Sequence, residues 1–228
     1  MNLKKSSFSL KKLYEKACND KSSDIYEHLP VLYQYAKKCN HVTEMGARGG
    51  NSTVAFLFSN PPEFVSYCYQ FVSYDYQYKT PELHLANDVK NLISIFENAK
   101  KAGVNCSYVG ADVLQVEIEP TDMLFIDTWH CYDQLQRELE LHGDKVNKYI
   151  AFHDTYAYGN RGEGYPDMDL NHPNKDKLDG SGGIRPAIDE FLEENNEWII
   201  DYETQENNGL IVIAKGSEQF IGSSPQRH

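Results

Sequence analysis

The chain has 228 residues, enough for a single domain with a small appendage. Its formal net charge of −12 disfavours a nucleic-acid partner, because phosphate backbones would repel so acidic a protein. The sequence has no run of about 18 apolar residues that could span a membrane, and its first residues lack the apolar core of a signal peptide. Five cysteines without paired spacing indicate free thiols rather than a zinc site, so we expect a cytoplasmic protein.

The first forty residues (1–40) are expected to form helices that pack on the core. Apolar residues at helical spacing predict helices over residues 10–18 and 25–39, with Pro30 accommodated near the start of the second. An alternation of strands and helices then begins. We predict strand one at residues 41–44, a helix at 52–59, strand two at 71–75 and a helix at 83–102.

The alternation continues up to a long loop. We predict strand three at residues 104–109, strand four at 122–127, a helix at 132–142 and strand five at 148–154. Residues 155–183 are rich in Gly, Asp, Asn and Pro, and their place after strand five favours a lid or substrate loop over an idle insertion. The core domain, residues 41–216, closes with a helix at 184–195 and an antiparallel strand pair at 198–203 and 209–214, before a tail at 217–228.

These elements predict an α/β, Rossmann-like fold with a doubly wound, mostly parallel sheet and an antiparallel C-terminal hairpin. Right-handed crossovers bring the carboxyl ends of parallel strands to one edge of the sheet. The predicted strands end in polar residues, which should therefore surround a single crevice: Glu44, Asp75, Asp112, Asp127, His153 and Asp154.

The turn after strand one carries the first ligand signal. Gly46, Gly49 and Gly50 allow a tight turn and a close approach by a ligand, and Ser52 or Thr53 could cap the helix that follows. The run lacks the G-x-G-x-x-G spacing of a dinucleotide site. The acid at position 44 would repel a pyrophosphate but suit a ligand with a cationic amino acid part, such as S-adenosylmethionine. A glycine-rich loop with a solvated glutamate is the competing interpretation.

Two further acids could contact an adenosine. Asp75, at the end of strand two, could accept hydrogen bonds from both ribose hydroxyls, and a turn residue or helix cap is the alternative. The segment Gly110-Ala-Asp112 follows strand three, where the Asp112 carboxylate could accept from the exocyclic amine of adenine.

Asp127 and Asp154 are expected to end neighbouring parallel strands, which lie about 4.8 Å apart. Both carboxylates could then bind one ion, and a hard divalent cation such as Mg²⁺ prefers oxygen ligands. His153 adjoins Asp154 and is a third ligand, an orienting group or a core histidine. An imidazole ligand is ordinary for Mn²⁺, Fe²⁺ or Zn²⁺ and unusual for Mg²⁺.

His130, just past strand four, is the best candidate for a general base, because the pKa of an imidazole lies near neutral pH. Trp129 and Tyr132 beside it could wall a pocket, although packing on the next helix explains them equally well. The other histidines form no ligand spacing, and we expect most of them to be solvated: His28, His41, His84, His142, His172 and His228.

Over residues 25–215 the chain resembles the class I S-adenosylmethionine-dependent methyltransferases, and more narrowly the group with sugar and macrolide O-methyltransferases and cephalosporin hydroxylase-like proteins. The resemblance lies in an ordered series of segments: Glu44-x-Gly46-x-x-Gly49-Gly50-x-Ser52, Asp75, Gly110-Ala-Asp112, Phe125-Ile-Asp-x-x-His-x-Tyr132 and Phe152-His-Asp154.

The resemblance implies a seven-stranded sheet with the cofactor over strands one to three. It implies a cofactor site formed by Glu44, Gly46, Ala47, Arg48, Gly50, Ser52, Asp75, Ala111, Asp112 and Asp127. It further implies a divalent ion, Mg²⁺ or Mn²⁺, on Asp127, His153 and Asp154, and catalysis by His130, Asp127 and Asp154.

The expected function is therefore S-adenosylmethionine-dependent O-methyl transfer, assisted by a metal, to a hydroxyl of a small acceptor such as a sugar or natural product. Two alternatives stay open: a binding module that keeps the fold without transfer, and an NAD-dependent oxidoreductase. A homo-oligomeric state also stays open.

Overall fold

The computed structural model of the protein describes residues 9–68, 83–164 and 178–216, and the side chains of residues 83–88 lie outside that description. The helices are α1 (Leu10–Cys18), α2 (Leu29–Ala36), α3 (Asn51–Ser59), α4 (Leu83–Lys101), α5 (Tyr132–His142) and α6 (Ile184–Glu194). The strands are β1 (His41–Met45), β2 (Glu63–Tyr67), β3 (Cys106–Val109), β4 (Thr121–Ile126), β5 (Val146–His153), β6 (Trp198–Thr204) and β7 (Leu210–Lys215).

The seven strands form one sheet in the order β3-β2-β1-β4-β5-β7-β6. Strands β1 to β5 run parallel, and β7 pairs antiparallel with both β5 and β6. The chain moves outward from β1 to β3 and then crosses back to β4 beside β1, which creates the switch point where ligands bind in such sheets. The predicted fold class and C-terminal hairpin are confirmed.

Each face of the sheet carries its own apolar core, because successive side chains of a strand point to opposite faces. On β4, Met123 and Phe125 join the core that includes Phe56 of α3 and Phe96 of α4. The β4 residues that point the other way, Leu124 and Ile126, join a second core. That core includes Leu135 and Leu139 of α5 and Ile188 of α6. All six residues of β4 are buried, and its last four form an apolar run, as is typical of a strand covered on both faces.

The second strand is not where we predicted it. It occupies Glu63–Tyr67 and pairs with β1, from Glu63 beside His41 to Tyr67 beside Met45. The tetrapeptide Phe-Val-Ser-Tyr occurs twice, at residues 64–67 and 71–74, so strand propensity could not discriminate between the two copies. The predicted segment 71–75, with Asp75, lies outside the described residues.

The second helix is shorter than predicted. It spans Leu29–Ala36 instead of 25–39, with Pro30 in its first turn, where the missing N–H costs nothing. Residues 25–28 form turns before it, and Ile25 is buried in the same core as Leu32 and Ala36 of α2. The other predicted boundaries differ by at most two residues from the observed ones.

All five cysteines are free thiols. Among the described helices, none combines the length and the apolar character that crossing a membrane requires. The cytoplasmic location and the oligomeric state stay predictions.

Candidate functional site

The glycine-rich turn packs directly against the end of β4. Gly46 has φ +86°, and a Cβ added there would lie 1.9 Å from the carbonyl oxygen of Asp127. The Gly46 N–H donates to the Tyr67 carbonyl at 2.9 Å, and the Asp127 N–H donates to the Met45 carbonyl at 2.9 Å. Only glycine permits both the dihedral angle and the contact, so the turn and the carboxyl end of β4 form one surface.

Glu44 lies beneath this turn, fully buried, and accepts hydrogen bonds from three hydroxyl groups. Ser52 Oγ donates to its Oε1 at 2.7 Å, while Thr53 Oγ1 and Ser66 Oγ donate to its Oε2 at 2.7 Å and 2.6 Å. Burial raises the pKa of Glu44 to about 7, although the three hydroxyls oppose that rise. The competing interpretation, a glycine-rich loop with a solvated glutamate, is therefore wrong.

Ser52 and Thr53 do not cap α3, contrary to the prediction. The N-cap of α3 is Gly50, in the left-handed region at φ +87°, and it makes no side-chain capping bond. The two hydroxyls instead donate to Glu44, because a buried carboxyl without hydrogen-bond donors would cost free energy. The first N–H groups of a helix have no partner within the helix, and no side chain caps them here.

A segment before α2 lies over the turn. Arg48, at φ +36° and with 78 % of its side chain exposed, pairs with Asp24 at 3.3 Å. Asn51 Nδ2 donates to Ser23 Oγ at 2.9 Å, and the neighbouring Ala47 is buried. Residues 23 and 24 thus join the edge of the candidate cofactor site, although no sequence pattern pointed to them.

The loop after β3 is half-buried at Ala111 and Asp112. The Asp112 carboxylate accepts from the Leu114 N–H at 3.1 Å and from Gln115 Nε2 at 3.0 Å, and it caps the short 3₁₀ helix Val113–Gln115. These bonds stiffen the loop at the carboxyl edge of the sheet, where the predicted adenine contact would be made.

The predicted metal ligands come together where β4 and β5 end side by side. Ligand atoms of Asp127, His153 and Asp154 all lie within 4.8 Å of one another. His153 Nδ1 lies 3.3 Å from Asp127 Oδ1 and 3.4 Å from Asp154 Oδ2. Asp154 has φ +59°, a left-handed conformation that turns the chain sharply after β5 and that aspartate tolerates better than most residues.

His130 bridges the same two carboxylates. Its Nε2 lies 3.2 Å from Asp127 Oδ1 and 2.9 Å from Asp154 Oδ2, and only 14 % of its side chain is exposed. The structure therefore unites the predicted base with the predicted ligands. Neighbouring carboxylates and imidazoles of this kind stabilise one another's charged forms.

Electrostatics in the cluster follow from this pairing. Burial alone would lower the pKa of both histidines, but the carboxylates raise the pKa of His153 to about 10 and that of His130 well above its ordinary value. Burial alone would raise the pKa of Asp127 and Asp154, but the two imidazoles hold both below the usual range. The charges of Asp127 and Asp154 thus favour the protonated forms of His130 and His153.

No pattern in the sequence indicated Glu163. Its Oε2 accepts from His130 Nδ1 at 3.0 Å, and its own N–H donates to the His130 carbonyl at 2.9 Å. The ring of Tyr158 stacks on that of His130, with centroids 5.1 Å apart and planes inclined by 5°. Both residues belong to the predicted loop, whose described parts therefore take part in the site.

Those described parts, residues 155–164 and 178–183, pair with each other through the backbone. The Gly162 N–H donates to the Ser181 carbonyl at 2.9 Å, and the Tyr132 N–H donates to the Gly182 carbonyl at 2.8 Å.

Trp129 is buried against Leu178, and a Cβ added at Gly180 would meet the Trp129 ring at 2.6 Å. Trp129 thus packs under the loop, whereas the Tyr132 hydroxyl donates to Glu190 Oε2 at 2.5 Å. The remaining loop residues lie outside the described part of the chain.

Two histidines expected to be solvated are buried. His28 is 1 % exposed, and its Nε2 lies 3.0 Å from the Asn207 carbonyl, while its ring meets that of His153 edge to face. His142 is fully buried, with Nε2 2.9 Å from the Val113 carbonyl. The expectation failed because the carbonyl groups that hold these rings come from distant parts of the chain. His41 is partly exposed, and the other three lie outside the described side chains.

A buried acid on α5 contacts the residue that follows Asp127. Glu138, fully buried, accepts from Thr128 Oγ1 and from Gln134 Nε2, each at 2.7 Å. Burial raises the pKa of Glu138 to about 7 against the lowering effect of these bonds. Because Thr128 follows Asp127 directly, this contact fixes the segment that carries the candidate ligand.

Searches against protein-family models and against curated proteins returned no match. Solved structures do match. The methyltransferase PaMTH1 of Podospora anserina, bound to SAH, aligns with a TM-score of 0.55 and 16 % identity over 90 % of this chain and 87 % of that one. The O-methyltransferase of Bacillus cereus, in complex with SAH, aligns at 0.53 and 16 % over 93 % of each chain. TomG of Streptomyces achromogenes, an O-methyltransferase in complex with SAM, aligns at 0.53 and 15 % over 92 % and 91 %. The fold is therefore that of the class I O-methyltransferases.

Proposed function

We propose that this protein is an S-adenosylmethionine-dependent O-methyltransferase, assisted by a divalent metal, that acts on a small hydroxylated acceptor such as a sugar or natural product. One observation carries the proposal: the glycine turn and the Asp127–His153–Asp154 cluster share a surface, since Gly46 packs on the carbonyl of Asp127. A methyl donor over the turn and an acceptor at the cluster would then be neighbours, as in-line transfer requires.

The turn supports a role in holding the donor. Helix α3 begins directly after Gly50 and has no side-chain capping bond, so the backbone N–H groups of its first turn would be the ones that bind the donor. In the same turn Arg48 is exposed and Ala47 is buried. Glu44 and Ser52 would act from below, since their mutual hydrogen bond fixes the floor of the turn. Asp75, Ala111, Asp112 and Asp127 remain proposed contacts for the adenosine and amino acid parts. The turn lacks the G-x-G-x-x-G spacing, which disfavours NAD as the bound cofactor.

The donor set of the cluster suits a divalent metal. Asp154 Oδ1 is buried and lacks a hydrogen-bond partner among the described residues, which is costly unless a cation or water satisfies it. His153 Nε2 lies 3.2 Å from the Asp24 carbonyl, which can only accept, so Nε2 donates there and Nδ1 is the nitrogen that faces the carboxylates. Histidine ligands are oriented in this way at metal sites.

Asp127, His153 and Asp154 would hold Mg²⁺ or Mn²⁺, and the imidazole favours Mn²⁺. A divalent ion at these residues would lower the pKa of an acceptor hydroxyl bound to it. His130 would receive the proton of that hydroxyl through Nε2, and the position of this nitrogen beside the same carboxylates supports that role. A cation on those carboxylates would also remove the interactions that raise the pKa of His130.

The test is methyl transfer from labelled S-adenosylmethionine to catechol, a probe with two adjacent hydroxyls, with Mn²⁺ present or removed by a chelator. We expect transfer only with the metal. The variant Asp154→Asn should lose metal binding and transfer but keep donor binding, because asparagine also tolerates φ +59°. Asp144→Asn, at an exposed position in the turn before β5, is the matched control. Loss of donor binding in Asp154→Asn as well would remove the role assigned to this residue.

A further inference from the structure

We infer that Glu163 is a positioning residue for His130: it fixes the ring orientation and decides which ring nitrogen faces the acceptor. Two hydrogen bonds join this carboxylate to His130, from Nδ1 at 3.0 Å and from the backbone N–H at 3.3 Å. A third runs the other way, from the Glu163 N–H to the His130 carbonyl. The inference rests on the proposed function, because it gives His130 its role as the base.

The chemistry of the pair follows from what each group can do. A carboxylate only accepts hydrogen bonds, so Nδ1 of His130 must carry a hydrogen. The other ring nitrogen, Nε2, faces Asp127 and Asp154 and is the one that exchanges a proton at the cluster. The ring of Tyr158, stacked at 5.1 Å, prevents the imidazole from tilting out of this plane.

The backbone around Glu163 shows that the contact is built into the fold. Gly162 and Gly164 flank it, and their N–H groups donate to the carbonyls of Ser181 and Gly180. A Cβ at Gly162 would lie 2.0 Å from the Gly180 carbonyl oxygen, so the two halves of the loop approach as closely as backbone allows. The Glu163 carboxylate is thereby presented from a pinned segment, with 24 % of its side chain exposed. Loose surface ion pairs lack this support and contribute little.

The direct test is ¹⁵N–¹H NMR of histidine side chains in the full-length protein. The wild type should show a slowly exchanging Nδ1–H signal from His130, assigned through His130→Gln. Glu163→Gln keeps an oxygen acceptor and should keep the signal, whereas Glu163→Ala should lose it. Glu117→Ala, whose side chain is 89 % exposed in the turn before β4, is the control. The same signal in Glu163→Ala as in the wild type would overturn the inference, and this holds whether or not the protein transfers methyl groups.

Turnover gives the second readout. With catechol and Mn²⁺, Glu163→Ala should lower kcat by about 10–100-fold, the usual effect of removing the partner that orients such a histidine. The KM for S-adenosylmethionine should stay within about twofold, because no bond of Glu163 reaches the glycine turn. Glu163→Gln should restore most of kcat. An unchanged kcat in Glu163→Ala, with an active wild type, would show that His130 needs no such partner.

Discussion

Gly46→Ala tests whether the glycine turn and the Asp127–His153–Asp154 cluster depend on one close contact. The new Cβ would lie 1.9 Å from the carbonyl oxygen of Asp127 and 2.7 Å from its carbonyl carbon, in backbone that cannot move without separating β1 from β4. The substitution therefore perturbs the candidate donor site and the candidate metal ligand Asp127 at once.

The loss of stability expected for Gly46→Ala has two parts. An alanine at φ +86° costs about 1–2 kcal/mol, since the left-handed region is strained for residues with a Cβ. The overlap with Asp127 adds about 1–3 kcal/mol, the usual cost of overpacking. We therefore expect the free energy of unfolding to fall by about 2–5 kcal/mol.

Two matched variants separate these parts in urea denaturation. Gly103→Ala carries the strain alone, with φ +92° and no described atom within 4 Å of the new Cβ, and should lose about 1–2 kcal/mol. Gly49→Ala lies in the same turn without positive φ or described neighbours within 4 Å, and should change stability by less than about 1 kcal/mol. If Gly46→Ala were no less stable than Gly103→Ala, the close contact would carry no energy and our reasoning would be refuted.

Two other substitutions test the surroundings of the site. The pKa of Glu44 rises from 4.5 to about 7 on folding, so its contribution to stability is full below about pH 4.5 and is lost as pH rises to about 7. Between pH 5 and 8 the free energy of unfolding of Glu44→Gln should therefore gain up to roughly 3 kcal/mol relative to the wild type, measured by urea titration; a constant difference would contradict the buried carboxyl. Gly180→Ala, at φ +71°, would press a Cβ against the Trp129 ring at 2.6 Å. It should lower the free energy of unfolding by about 2 kcal/mol, which is more than Gly103→Ala does, and it should shift the tryptophan fluorescence. Equal effects of the two variants would show that the Trp129 ring moves aside at no cost.

The sequence predicted the centre of the site because two strong rules apply there. Parallel strands place their carboxyl ends at one edge, so Asp127 and Asp154 had to meet if β4 and β5 were neighbours. The glycines likewise predicted a tight turn, which Gly46 and Gly50 form with left-handed backbone dihedral angles. In both cases, local residue type determines the geometry.

The sequence could not predict partners that distant segments supply. Ser66 reaches Glu44 from β2, Glu163 reaches His130 from the loop, and the Asp24 carbonyl reaches His153 from before α2. None of these residues lies in a pattern with its partner. The duplicated Phe-Val-Ser-Tyr segment shows a related limit, because two equal strand signals cannot be ranked without the pairing with β1.

We propose that one surface of the protein binds both a methyl donor and a divalent metal. Calorimetric titration of metal-stripped protein with S-adenosylmethionine, then with Mn²⁺ or Mg²⁺, and with NAD as a control, tests this proposal. We predict micromolar binding of S-adenosylmethionine, a separate metal isotherm that Asp127→Ala abolishes, and no binding of NAD. Binding of NAD in place of S-adenosylmethionine would refute the proposal, and binding of none of them would indicate a protein that keeps the fold without the chemistry.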